Sequence, residues 1–247
     1  MPQYSTLERL AAIAEDQWGL ITRRQMEQVG IPPTTRDRLT SDRSILERVA
    51  SGVYRLTGVP TPDHMDLRAA WLQLASEIPA WERSADQGVV SHRSAASLYR
   101  LGHLPPDRHQ FTVPERRQSR RPDVRLHTRR LEPQEYIELT GMPVTRPSRI
   151  ASDLLYDRED PDAVAQLITD AIRGGYDYPG TFANALAPHA TRFGLRRGDG
   201  LALLGWLLDL ARDPHTDEWM KQARDHVART SADDHERRAA PSRVRRA

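Results

Sequence analysis

The chain has 247 residues, is 38% hydrophobic and 28% charged, and carries a formal net charge of only +2. That is a globular composition with room for one large domain or two modest ones. The absence of cysteine excludes disulfides, iron–sulfur clusters, cysteine-ligated zinc and thiol catalysis, and a reducing cytoplasm is the expected setting. Lys221 is the only lysine among 36 basic residues, so nearly all the positive charge is arginine and stays on at any ordinary pH.

The charge is unevenly spread. Residues 101–150 carry net +4, residues 151–235 net −6 and residues 236–247 net +4. A basic middle and an acidic back half predict different partners for different regions. The first fifteen residues mix acids with apolar residues and do not read as a signal peptide. The longest apolar run, Leu201–Leu208, falls well short of the roughly 20 residues of a spanning helix, so no membrane partner is expected.

In chain order, Ser5-Thr6-Leu7-Glu8 has capping-box spacing and opens a first helix to about Asp16. Gly19-Leu20-Ile21 is an extended link, and Thr22-Arg23-Arg24-Gln25 is a second capping box opening a helix that stops at Gly30. Pro33 suits the first position of a third helix running through Leu39. Leu46–Val49 and Gly52–Leu56 then read as two strands with a turn at Ala50-Ser51-Gly52.

Helix, helix, turn, helix and β-hairpin is the order of a winged helix-turn-helix, whose third helix enters the major groove. With Leu39 turned inward, Thr35 lies near the buried side, Arg36 at the flank, and Thr34, Asp37, Arg38 and Ser41 face outward. Thr34 and Arg38 are the expected base readers and Arg36 a phosphate contact. Arg48, Ser51 and Arg55 are the candidates on the wing. A protein-docking module with a solvated charged face fits the same pattern.

The turn at Gly58-Val59-Pro60-Thr61-Pro62 predicts a boundary near residue 60. Beyond it, helices are expected at Asp66–Ala75 and Arg93–Leu101, and strands at Val89–His92, Gln110–Val113, Asp123–Leu131, Tyr136–Leu139 and Met142–Val144. The alternation in Asp123–Leu131 sets Arg125, His127 and Arg129 on a basic outer face. Residues 151–228 read as helical. The expected class is α+β, mainly α: a winged helix at 1–60, a larger mixed domain with a small sheet and C-terminal helices at 61–230, and a disordered basic tail at 231–247.

The densest basic run is Arg116-Arg117-Gln118-Ser119-Arg120-Arg121. Its arginines are candidates for phosphate contact beside the winged helix, against the alternative of a solvated sheet edge.

No catalytic centre emerges. Pro122-Asp123 lacks the downstream acid-x-lysine of a metal-dependent nuclease, since Trp219 stands where the acid would precede Lys221. The glycine–lysine phosphate loop and the H-E-x-x-H zinc motif are absent from the sequence. Ser91-His92 reads as a cap beside a packed histidine, and His103 and His109 are not spaced as a helical metal pair. No metal or cofactor is expected.

Three segments carry a family resemblance. Leu46-Glu47-Arg48-Val49-Ala50-Ser51-Gly52-Val53-Tyr54-Arg55-Leu56 resembles the "L-x-R-V-x-x-G-V-Y-R-L" wing of AbiEi-type antitoxins. Ser91-His92-Arg93-Ser94-Ala95-Ala96 is similar to their "S-H-x-S-A-A" segment. Gly141-Met142-Pro143-Val144-Thr145-Arg146-Pro147-Ser148-Arg149 resembles their "G-x-P-V-T-x-P-x-R" segment. The resemblance spans roughly residues 7–212. It implies a non-enzymatic, cytoplasmic transcriptional repressor that binds double-stranded operator DNA of its own operon, with two copies on repeated half-sites. It also implies a cognate nucleotidyltransferase-like toxin that the protein counteracts in abortive infection, without requiring a stable complex.

Overall fold

The computed structural model describes residues 5–41, 45–119 and 121–239. It is a mixed α and β protein with two small sheets and a helical C-terminal part. The chain forms two compact units. One comprises Met1–Leu98 and Pro105–Thr145, the other Tyr99–Leu104 and Arg146–Ala247.

The first unit begins with α1 (Thr6–Glu15), β1 (Leu20–Thr22), α2 (Arg23–Gln28) and α3 (Pro33–Ser41). The hairpin β2 (Leu46–Ala50) and β3 (Val53–Leu56) follows. Both capping boxes form: the Glu8 amide donates to Ser5 Oγ at 3.2 Å, and the Gln25 amide to Thr22 Oγ1 at 3.1 Å. Each satisfies a helix-end donor that would otherwise lack a partner. The three strands make an antiparallel sheet in the order β1-β3-β2, with Ile21 opposite Tyr54 and Arg48 opposite Tyr54 on its other side. A bulge between Arg48 and Ala50 bends the hairpin. Leu10, Ile21, Met26, Ile31, Leu39, Leu46 and Tyr54 close the core between helices and sheet.

The same unit continues with α4 (Met65–Gln73), β4 (Val89–Val90), α5 (His92–Tyr99), β5 (His109–Val113), β6 (Val124–Thr128), β7 (Tyr136–Leu139) and β8 (Met142–Thr145). These strands form a five-stranded mixed sheet in the order β6-β5-β4-β8-β7. β5 runs parallel to β6 and β4 parallel to β8, while the β4–β5 and β7–β8 pairs are antiparallel.

The boundary expected at residue 60 therefore lies inside a unit. A buried amide network explains it. Gln17 and Gln25 are 0% and 1% exposed and exchange reciprocal side-chain hydrogen bonds of 2.9 and 3.0 Å. Gln17 Oε1 also accepts from the Ala80 amide at 3.0 Å, its Nε2 donates to the Leu20 carbonyl at 2.9 Å, and Thr22 Oγ1 donates to the Ser76 carbonyl. Polar groups buried this deeply must be paired, so the segment around 76–80 completes the N-terminal elements. Arg83 secures that segment in turn. Its guanidinium lies over the Trp71 ring at 4.5 Å and donates to the carbonyls of Trp71 and Leu72 in the last turn of α4 and of Ala75 and Ile78 just after it. Burial pushes its pKa down to about 10, which still leaves it charged at neutral pH.

The outer face of β6 also differs from expectation. Arg125 is exposed, but His127 is half-buried and stacks on His92, the first residue of α5, at a centroid distance of 3.5 Å. His92 is 4% exposed, and its Nδ1 lies 3.0 Å from Ser91 Oγ.

The second unit holds α6 (Pro147–Tyr156), α7 (Pro161–Arg173), α8 (Pro179–Leu186), α9 (Gly200–Ala211) and α10 (Thr216–Ala239). Asp160 caps α7, its Oδ1 accepting from the Asp162 amide at 3.0 Å, and Pro161 fills the first turn. The segment Tyr99–Leu104 belongs here because the Gly102 amide donates to Asp170 Oδ2 at 3.0 Å. Gly102 has φ +68, and a Cβ there would meet Leu167 Cβ at 2.9 Å, so both conformation and space require glycine. The helix α10 continues through 231–239, where composition predicts disorder. That stretch lacks proline and glycine and holds good helix formers (Ala, Arg, Glu). The rest of the expected tail lies outside the described residues. Among the described residues, no helix is long and apolar enough to cross a membrane.

Candidate nucleic-acid interface

The polar face of α3 takes the orientation that its helical spacing predicts. Leu39 is 7% exposed, Thr35 is half-buried, and Thr34, Asp37, Arg38 and Ser41 are exposed. Arg38 makes no hydrogen bond or ion pair among the described residues, so its five donors are available to a partner. Ser41 Oγ donates to the Asp37 carbonyl at 2.8 Å, which leaves its lone pairs outward. Arg36 differs. Its side chain is 14% exposed, and its Nε and Nη2 donate to Asp37 Oδ1 at 3.0 and 2.8 Å. Its hydrogen bonds to the Asp37 carboxylate raise the Arg36 pKa still further.

The hairpin residues divide in the same way. Arg48 is exposed and makes only a long 3.4 Å contact to the Ala50 carbonyl. Ser51 is exposed at the tip, where its carbonyl accepts from Gln73 Nε2. Arg55 is committed inside the fold. It pairs with Glu47 Oε2 at 2.6 Å, the residue opposite it in the hairpin, and donates to the Val59 carbonyl and Thr61 Oγ1 at 3.0 and 2.9 Å. It staples the hairpin to the segment after it.

The basic run 116–121 is likewise not one surface. Arg116 is exposed, and Arg120 lies outside the described residues. Arg117 donates to the Leu74 carbonyl at 3.4 Å and the Asp86 carbonyl at 2.7 Å. Those carbonyls fix the guanidinium without neutralising it. Arg121 pairs with Asp123 and donates to Gln73 Oε1. The Arg121 hydrogen bond holds the Asp123 carboxyl below the usual carboxylate range, so the Pro122-Asp123 dipeptide is part of a structural pair.

The structure brings the two basic regions together. Arg36 from α3, Arg48 from the hairpin, Arg23 and Arg24 from the start of α2, and Arg117 and Arg121 line one open cleft of about 720 Å³, with Asp37 its single carboxylate among the described residues. Glu27 draws in Arg23 and Arg24 at 3.1 and 3.2 Å. Arg48 and Arg117 pair with no carboxylate among the described residues, and Glu27 offsets only one of Arg23 and Arg24, so the cleft is net positive. Residue spacing identifies Arg23 and Arg24 only as helix-start residues and leaves Gln73 inside the helix expected at Asp66–Ala75. Their place in the cleft follows from the fold of the chain between 70 and 126.

No protein-family model and no curated protein matches the chain. Among solved structures, the RV2827C protein from Mycobacterium tuberculosis is similar over 89% of this chain and 82% of its own, with a TM-score of 0.50 and 14% sequence identity. At that identity the likeness concerns the fold alone.

Proposed function

We propose that the protein is a DNA-binding transcriptional repressor of the AbiEi antitoxin type, with α1 to β3 acting as a winged helix-turn-helix. The exposed face of α3, with Arg38 free of partners beside Thr34 and Ser41, carries this reading. A helix that buries only Leu39 and turns an unpaired guanidinium outward suits a major groove, where arginine reads guanine with two hydrogen bonds. Arg48 on the hairpin and Arg117 beyond it supply charge for flanking phosphates, while Arg55 keeps the wing in shape. The toxin-counteracting role and the nucleotidyltransferase-like toxin rest on the three resembling segments.

Fluorescence anisotropy with the DNA upstream of the gene tests the proposal, against a scrambled duplex at several salt concentrations. Arg38→Ala is expected to cost about 1–3 kcal/mol on the specific duplex and much less on the scrambled one. Arg48→Ala is expected to weaken both and to lower the salt slope by about 1. Absence of binding at low salt, or an equal loss on both duplexes for Arg38→Ala, sinks the groove assignment. Co-expression with a nucleotidyltransferase-like neighbour tests the antitoxin role, with rescue of growth as the expected result.

A further inference from the structure

We propose that the arginine-rimmed cleft beside α3 is a binding site for a nucleotide, its phosphates held by Arg48 and Arg117 and its base resting on the apolar floor. The inference stands on the composition of the cleft. A track for a DNA backbone needs only cations and amides at an exposed rim. This cleft has them, but its lining also includes Leu74 and Leu126, both half-buried, with Ala70, Val124 and Tyr54. Duplex phosphates and sugars offer such a floor nothing to bury, whereas a planar base does. The volume of about 720 Å³ suits a molecule of this size, since small-ligand sites span roughly 300–1,000 Å³ and combine apolar walls with a few placed charges.

The charges are placed. Arg117 spends Nη1 and Nη2 on the carbonyls of Leu74 and Asp86, which aims its guanidinium while leaving its charge unmet. Arg48 stands on the hairpin with its charge equally unmet. Arg36 is neutralised by Asp37 and Arg121 by Asp123, so these two shape the wall rather than add net charge. Of the outward face of α3, Asp37 lines the cleft, while Thr34 and Arg38 do not. The site therefore leaves the proposed base readers Thr34 and Arg38 untouched but shares Arg48 and Arg117 with the proposed phosphate contacts, so a bound nucleotide and flanking DNA phosphates would compete for them.

Isothermal titration of the full chain with ADP, GDP, CDP and UDP in turn, and with pyrophosphate and adenosine, tests the site. At least one nucleoside diphosphate is expected to saturate at one per chain and to bind at least tenfold more tightly than both pyrophosphate and adenosine. Arg117→Ala and Arg48→Ala are each expected to weaken it about tenfold, with unchanged circular dichroism. Leu126→Ser is expected to weaken the nucleotide and leave pyrophosphate unaffected. Failure of all four diphosphates to bind overturns the proposal. So does pyrophosphate binding as tightly as the best nucleotide, or nucleotide affinity indifferent to both arginine variants. An absent gel shift with nucleotide binding intact would count against the DNA-binding reading and not against this site.

Discussion

Gln17→Met is a sharp test of how the N-terminal elements are anchored. The substitution keeps the approximate shape of the side chain and removes its amide. The Ala80 amide then loses its acceptor in a site that is 0% exposed, the Leu20 carbonyl loses a donor, and Gln25 loses both bonds to its neighbour. Gln25 keeps the Thr22 amide at 2.9 Å, so its own collapse is partial. A buried group left without a partner costs about 1–3 kcal/mol, which puts the total at about 2–5 kcal/mol. In a chain of this length that corresponds to a fall of roughly 5–15 °C in Tm. Denaturant unfolding followed by circular dichroism measures it, with hydrogen exchange locating the weakened amides. The expected pattern is loss of protection both at 17–25 and at 76–80. A loss below about 1 kcal/mol, or weakening confined to residues before 60, would refute the argument that the network welds these segments together. The same reasoning predicts that a fragment of residues 1–60 shows no cooperative melt, because its buried glutamines lack the partners that 76–80 provide.

Other variants probe separate points. A Cβ at Gly200 would sit 1.8 Å from the Ala183 carbonyl oxygen, so Gly200→Ala must push α9 from α8 and should cost about 1–3 kcal/mol or more in thermal stability. The Tyr99 hydroxyl is buried with no hydrogen-bond partner among the described residues, and burial pushes its pKa up to about 12. Tyr99→Phe keeps the ring packed on Tyr176 and should hold or raise Tm, and a loss above about 1 kcal/mol would contradict this. Burial lowers the pKa of His109 below its ordinary 6.5, outweighing the pull of Asp123 in the opposite direction. The unfolded chain then binds the proton first, so stability should fall as pH drops below about 6.5 and level off below the folded value. His109→Gln should flatten that part of a denaturant-midpoint profile.

The elements that were legible in the sequence are those whose causes are local. Ser5 with Glu8 and Thr22 with Gln25 announce helix starts because their bonds span three residues. The face of α3 follows from Leu39 alone, since helical spacing fixes the rest. What stayed hidden depends on distant pairing. Pro60 and Pro62 look like a linker, yet Gln17 finds Ala80 across 63 residues and cancels the boundary. Arg117 reads as one member of a charged loop until the Leu74 and Asp86 carbonyls fix it, and Arg55 reads as a free wing cation until Glu47 and Thr61 claim it. Charge alone does not tell which arginines are spent inside the fold. The helix through 231–239 departs from expectation for another reason: its polarity suggests disorder, while its local propensity favours helix.

The tip of the β2–β3 hairpin has one further consequence. Ser51 accepts from Gln73, Gln73 accepts from Arg121, and Arg121 is held by Asp123, while Arg55 closes the base of the same hairpin on Thr61. A free two-residue turn would sample many conformations and would have to surrender them on meeting a partner. Immobilising each rotamer-rich side chain at an interface costs about 0.5–1.5 kcal/mol. In this protein that entropy is already lost on folding, so whatever docks against the hairpin meets it in one shape. Cutting the relay with Gln73→Ala would return the loss to the binding step, and affinity would fall although no contact to the partner had been removed.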